Sequence, residues 1–437
     1  MIRYLNIFLF EFKHFKKSKT KIISYLFFII ACIFSIYNGF ELQEKQLDTI
    51  KNIQNKEGES ISKLIGWFEN GEKGPEDRSW VDITDPYWSI RYTPTYVIKQ
   101  PSLLLPLGIG QSEQYGYYQK LSIWSSPFDS DIAEEISNYE RLINGNIDFS
   151  FLILYLLPLL LIILTFNING LEKDLKFENL IIIQAGVIKK WLFYRLLFYT
   201  FLILITINCM IFSVAILNNV FNQEILQLIL LSNLYVLIFI IPFYFIINIS
   251  DGSTSIAFKM IGLWLLLCVL IPGTVHQYAN LKYPVNYMTD FLDANRKDTY
   301  DVFKFSKEEL NEKLLKIYPN LKLTEHAKGT AVNRTIVRNT MSAIVNKLNI
   351  NAISTIEQQN NLKNNLIVNS YWFNPVSFFQ NKWNSLTNSD YHSYSQFRKN
   401  IQDKIDDRLK LLVFECWDSK RVDFESYNDY LKILKQN

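Results

Sequence analysis

The sequence contains no GxxxxGK[ST] phosphate loop, so the chain is not expected to hydrolyse ATP by itself. It also lacks HExxH, a paired CxxC and GxSxG, the patterns that set zinc ligands, metal or redox thiols, and a nucleophilic serine. Histidine is scarce: His14, His276, His326 and His392 are four in 437 residues and far from metal-ligand spacing. Cysteine is equally rare. Of four, Cys32, Cys209 and Cys268 lie in apolar runs and Cys416 stands alone in a polar region, which excludes a disulfide framework in the polar segments. Charge of one sign is also missing, because 45 basic and 42 acidic residues leave a net +3 and no basic surface for nucleic acid. Carboxylates are plentiful, but no pair stands out as acid and base. The chain is therefore not expected to be an enzyme, to carry a cofactor or metal, or to bind nucleic acid.

What the sequence has is segregation. Hydrophobic residues make up 49% of it, and charge vanishes from a few windows while crowding the rest. A helix crosses a bilayer core with about 20 mostly apolar residues. Five windows meet or approach that length: 22–40, 149–166, 191–217, 225–249 and 254–275. Inside hydrocarbon the backbone must satisfy its own hydrogen bonds, so these windows are expected to be helices. The fifth carries Lys259 near its end, where a long side chain can snorkel to headgroups. Pro158 and Pro242 fall inside windows, where kinks are tolerated. The first window is too long for a signal peptide, and no small-residue cleavage site follows Tyr37-Asn38-Gly39-Phe40, so it reads as an uncleaved anchor.

Lys13, Lys16, Lys17, Lys19 and Lys21 precede the first window and place the N-terminus in the cytoplasm. Alternation then puts 41–148 outside and returns 168–190, with Lys173, Lys176, Lys189 and Lys190, to the cytoplasm. Residues 276–437 follow the fifth window and are expected outside. The fold class is mainly α: a polytopic helical membrane protein with five clear spans, a weak sixth after Leu362 being the alternative, and two extracytoplasmic lobes. Five parts follow: an amphipathic helix over 1–21, interfacial or cytoplasmic; the first span, 22–40; lobe 1, 41–148; a cluster of spans, 149–275; and lobe 2, 276–437. Lobe 1 opens with a polar helix from about Glu41 to Asn70, then turns aromatic and turn-rich. Lobe 2 reads as mainly helical, with a capping box at Ser306-Lys307-Glu308-Glu309 and long amphipathic runs at 327–368 and 391–417.

The 168–190 segment opens with acidic residues, continues as a short amphipathic helix and ends in a basic approach to the third span. It resembles the loop of ABC-2-type permeases, in which acidic residues and a short helix dock on a cytoplasmic ATPase. The resemblance puts Glu172 and Asp174 on the family's acidic positions and Arg195 where a basic residue starts the next helix. Lys176-Phe177 replace the family's Gly-Thr pair, and Phe177 joins Glu172, Asp174 and Arg195 as the implied coupling residues. The order of span, outer lobe, span cluster and outer lobe is similar to a permease subgroup with large extracytoplasmic insertions. That subgroup includes the permeases of nitrous-oxide-reductase maturation. Pro106-Leu107-Gly108-Ile109-Gly110, and Asn374-Pro375-Val376-Ser377-Phe378 with Ser389-Asp390, look like its punctuation.

The resemblance implies the permease subunit of an ABC transporter in the bacterial inner membrane, moving a substrate with ATP used on a separate subunit. Its expected partners are that cytoplasmic ABC ATPase, a second copy or a sister permease, membrane lipid, and a periplasmic protein at the outer lobes. The alternative is a non-transporting membrane sensor or assembly scaffold whose outer lobes bind a ligand or a protein.

Overall fold

A computed structural model describes residues 2–137, 147–177, 183, 188–250, 252–285 and 287–435. The described chain is mainly helical. Its only sheet among those residues is a two-stranded antiparallel ribbon, Tyr96–Ile98 against Tyr118–Lys120, with Tyr96 opposite Lys120.

Among the described residues five helices are long and apolar enough to cross a membrane: Lys19–Asn70, Phe149–Asp174, Ile188–Leu217, Gln223–Ile249 and Ser253–Lys282. Each contains one of the apolar windows. The second is the most enclosed, with 67% of its most apolar stretch buried, so the others pack around it. Prolines leave their marks. Pro158 and Pro272 each follow a π-helical turn, Leu152–Leu156 and Leu266–Leu270. A widened turn accommodates a ring that cannot donate to the preceding carbonyl and would clash with it. Pro242 sits within Gln223–Ile249.

The first long helix departs from expectation. The apolar window and the polar helix after it are one element of 52 residues, about 78 Å long. No proline interrupts it, and it ends only at Gly71, whose φ of 70° is the left-handed conformation glycine tolerates best. Ser18 separates it from a preceding helix, Ile2–Lys17, so that amphipathic segment is a separate element. Gly39, in mid-helix, meets the Leu105–Leu107 turn so closely that a Cβ would lie 2.5 Å from Pro106 Cα. Gly39→Ala is expected to cost about 1–3 kcal/mol by overpacking. Gly66→Ala, with nothing within 4 Å of its Cβ, should stabilise the same helix by about 0.5–1 kcal/mol. Thermal unfolding of the two variants checks the pair, and equal effects would contradict the close approach.

Two large cores result. One joins the apolar helices through residues such as Phe28, Leu161, Ile207 and Phe239. The other joins Leu64, Ile83, Ile90 and Leu121 to Leu310, Leu314, Ile405 and Trp417, so residues from both polar segments share a single core. Arg408 crosses it, donating to Thr95 Oγ1 at 2.7 Å and Thr93 O at 2.9 Å. The expected capping box is present: Ser306 Oγ accepts from Glu309 N, and Glu309 Oε2 accepts from Ser306 N. Helix Pro375–Leu386 links the two halves by sending Val376, Phe379, Trp383 and Leu386 into the apolar-helix core. Its 12 residues span about 18 Å, well short of a bilayer core.

A buried ion cluster braces the polar half. Arg398 Nη1 donates to Asp131 Oδ2 at 3.3 Å and its Nε to Glu357 Oε1 at 2.8 Å, while Gly116 N donates to Asp131 Oδ1 at 3.2 Å. Burial outweighs these partners and pushes Asp131 up to about 6 from 3.8. Across that interval the folded chain holds a proton that the unfolded chain releases, so this group's stabilisation falls as pH rises from 3.8 to about 6. Asp131→Asn should remove that slope from a plot of Tm against pH. An unchanged slope would place the titration elsewhere.

Candidate functional site: a buried ion network at one end of the apolar helices

At its C-terminal end the second apolar helix passes through a turn at 166–169 into a short helical stretch, Gly170–Asp174. Two sets of contacts fasten it. Toward the N-terminus of Ile188–Leu217, Arg195 reaches back into the structure. Its Nη1 donates to both Glu172 Oε1 and Ile168 O, and its Nε donates to Glu11 Oε1. Glu11 comes from Ile2–Lys17. Its other oxygen accepts from Tyr199 at 2.9 Å, and Lys21 Nζ donates to Tyr199 Oη at 2.9 Å. The Trp191 ring covers the guanidinium at 4.4 Å.

Most of these groups are withdrawn from water: Glu11 is 0% exposed and Arg195 and Lys21 are each 2% exposed, while the Glu172 side chain keeps 15%. Burying an ion costs several kcal/mol unless it is paired and hydrogen-bonded. Here two cations, Arg195 and Lys21, face two carboxylates, Glu11 and Glu172, so the set is balanced. The planar guanidinium suits the position because it can serve two carboxylates and a carbonyl at once.

The second set of contacts holds the short helix on the turn between the fourth and fifth apolar helices. Lys173 Nζ donates to Ser250 O at 2.8 Å, at the C-terminus of Gln223–Ile249. Asp174 accepts from the Ser253 amide at 3.4 Å and from its hydroxyl, at the N-terminus of Ser253–Lys282. A cation at one helix C-terminus and an anion at the next N-terminus both match the helix dipoles. Gly170 is required for this seating, since a Cβ there would lie 2.5 Å from Ser253 Cα. Lys259 joins the same turn, donating to Ser250 Oγ at 3.0 Å.

The four residues singled out from the sequence thus fall in two groups. Glu172 and Arg195 hold the segment from within, and Asp174, itself exposed, ties it to Ser253. Phe177 stands 52% exposed at its end, beside the exposed Leu171 and Leu175. Of the rest of 168–190, residues 178–182 and 184–187 lie outside the described residues. Sequence reasoning missed Glu11, Lys21 and Tyr199. A signal for Glu11 was present: it falls on the Phe8-Phe12-Phe15 stripe, and an acid on the apolar face of a basic helix needs a buried partner.

Among the described residues no group of histidine, cysteine or carboxylate side chains could hold a metal ion. No protein-family model, curated protein or solved structure matches this chain, so the network's role rests on its geometry.

Proposed function

We propose that this chain is the permease subunit of an ATP-driven transporter, lying in the bacterial inner membrane with its N-terminus in the cytoplasm. A separate cytoplasmic ATPase docks on the segment that begins at Gly170. One observation carries the reading: the Gly170–Asp174 helix is fastened to Ile2–Lys17, to Ile188–Leu217 and to the turn between the last two apolar helices. A displacement of that short helix is transmitted to most of the bundle, because buried ion pairs and a close-packed glycine leave no slack.

Three further features support it. The outward faces of the apolar helices carry Phe27, Ile30, Phe201, Phe245 and Phe258, the composition a bilayer requires. Lys13, Lys16, Lys17, Lys173, Lys176, Lys189 and Lys190 collect at the end that holds the network, the bias expected of a cytoplasmic end. Lys176 adopts φ 59°, the left-handed region, at the place where the permease pattern has a glycine. On this reading the body formed jointly by the polar segments is extracytoplasmic.

A photo-crosslinking residue at Phe177 tests the docking. It is expected to capture a P-loop ATPase in intact membranes, while the same residue at Trp80, exposed in the polar half, captures none. Equal capture from both positions, or none from either, would sink the docking and favour a sensor or scaffold.

A further inference from the structure

Among the described residues, two clefts lie against the polar segments. The larger, of about 420 Å³, mixes Lys363, Lys382 and Asp390 with several asparagines and selects no single ligand class. The smaller, of about 350 Å³, does select one. None of its described lining residues is titratable. Trp124 and Phe303 line it together with Asn295, Asn346, Asn349 and Ser342.

Trp124 and Phe303 lie nearly parallel, with 6.1 Å between centroids and 19° between planes. They remain 45% and 60% exposed although the core beneath accepts their neighbours Ile123 and Val345. Leaving two large rings in water forgoes burial free energy, which marks a surface kept for contact. The polar groups show a complementary deficit. Asn349 Nδ2 donates to Asn295 Oδ1 at 2.9 Å, but Asn349 Oδ1 and Ser342 Oγ are buried with no partner among the described residues. These two residues are only 7% and 2% exposed, and buried polar atoms are otherwise almost always satisfied. Asn346 is held in place by Gln402 at 3.1 Å and Asp406 at 2.6 Å.

We propose that this cleft binds a neutral saccharide. A pyranose ring presents a flat C–H face to Trp124 and Phe303, and its hydroxyls donate to Asn349 Oδ1 and bond Ser342 Oγ. Amides and hydroxyls both donate and accept, as sugar hydroxyls do. With no charged group in the described lining, a phosphate, carboxylate or metal ion would enter uncompensated. The volume lies at the small end of ligand sites, about 300–1,000 Å³, and suits a mono- or disaccharide. The cleft belongs to the core of the polar half, so the ligand arrives from solution. The proposal stands apart from ATP-driven transport and survives its failure.

The test uses the full chain in a detergent without a sugar headgroup. Maltose, cellobiose, lactose and N,N′-diacetylchitobiose are titrated by saturation-transfer NMR, with tryptophan fluorescence as a second readout. At least one is expected to bind with a millimolar Kd. Trp124→Ala, at an exposed position that folding tolerates, should weaken it by about 10-fold or more. Asn349→Leu should abolish it, and Trp80→Ala should leave it unchanged. Absence of binding by all four sugars would overturn the proposal, as would binding that survives Trp124→Ala.

Discussion

Arg195→Met is expected to lower the stability of the protein by about 3–5 kcal/mol, the cost of leaving a buried carboxylate pair without its cation. Glu11 and Glu172 would then face only Lys21, which reaches Glu11 through Tyr199. The loss depends on charge balance and not on volume, because methionine fills much of the same space. Arg195→Lys should therefore rescue only part of it: one ammonium cannot serve Glu11, Glu172 and Ile168 O together. Adding Glu172→Gln to Arg195→Met restores one cation to one carboxylate, and the double variant should be more stable than Arg195→Met alone. Thermal unfolding in detergent, followed by size-exclusion elution, gives the order of the four proteins. A double variant no more stable than Arg195→Met, or an Arg195→Met within about 0.5 kcal/mol of the parent, would contradict a closed network.

Trp383→Ala should be comparably severe, about 3–5 kcal/mol, because it opens a cavity where the two halves of the molecule meet. The indole is 1% exposed, its Nε1 donates to Leu107 O at 2.8 Å, and its ring lies 6.1 Å from that of Phe149. Trp383→Phe keeps most of the packing but leaves the Leu107 carbonyl without its donor, for a smaller loss of about 1–3 kcal/mol. Trp372, on the turn just before the same helix, is 86% exposed and supplies the control. Its replacement by alanine should change stability by no more than about 0.5 kcal/mol. Equal effects at the two tryptophans would mean that Pro375–Leu386 is not seated on the apolar helices.

The sequence makes some of this plain and hides the rest for physical reasons. Long apolar windows need no tertiary information, so the five membrane-length helices are legible from hydropathy alone. The Ser306–Glu309 capping box is legible too, because it is a local exchange of two hydrogen bonds. The continuity of Lys19–Asn70 is less so. Its composition changes sharply after Phe40, but a change of polarity does not break a helix, and no proline is present to stop it.

Pairings across long separations are the least legible. Nothing local links Glu11 to Arg195, 184 residues away, or Trp383 to Leu107, 276 residues away. The 12-residue helix Pro375–Leu386 resembles any amphipathic surface helix until its apolar stripe is seen to face another helix bundle. For the candidate site, the sequence singled out Glu172, Asp174, Phe177 and Arg195 for coupling; the fold buries Arg195, half-buries Glu172 beside it and leaves Asp174 exposed but bonded to Ser253. The exposed side of the segment carries Leu171, Asp174, Leu175, Lys176 and Phe177.

Affinity purification of the chain from native membranes in mild detergent, with mass spectrometry of what accompanies it, bears most directly on the proposed role. A stoichiometric P-loop ATPase should accompany the parent chain. It should be lost from a Leu175→Glu, Phe177→Glu variant, whose two changes are exposed and leave the ion network intact. Recovery of the chain without any ATPase, under conditions that retain a known ABC complex, would contradict the permease assignment. So would an ATPase that stays bound to the doubly substituted chain.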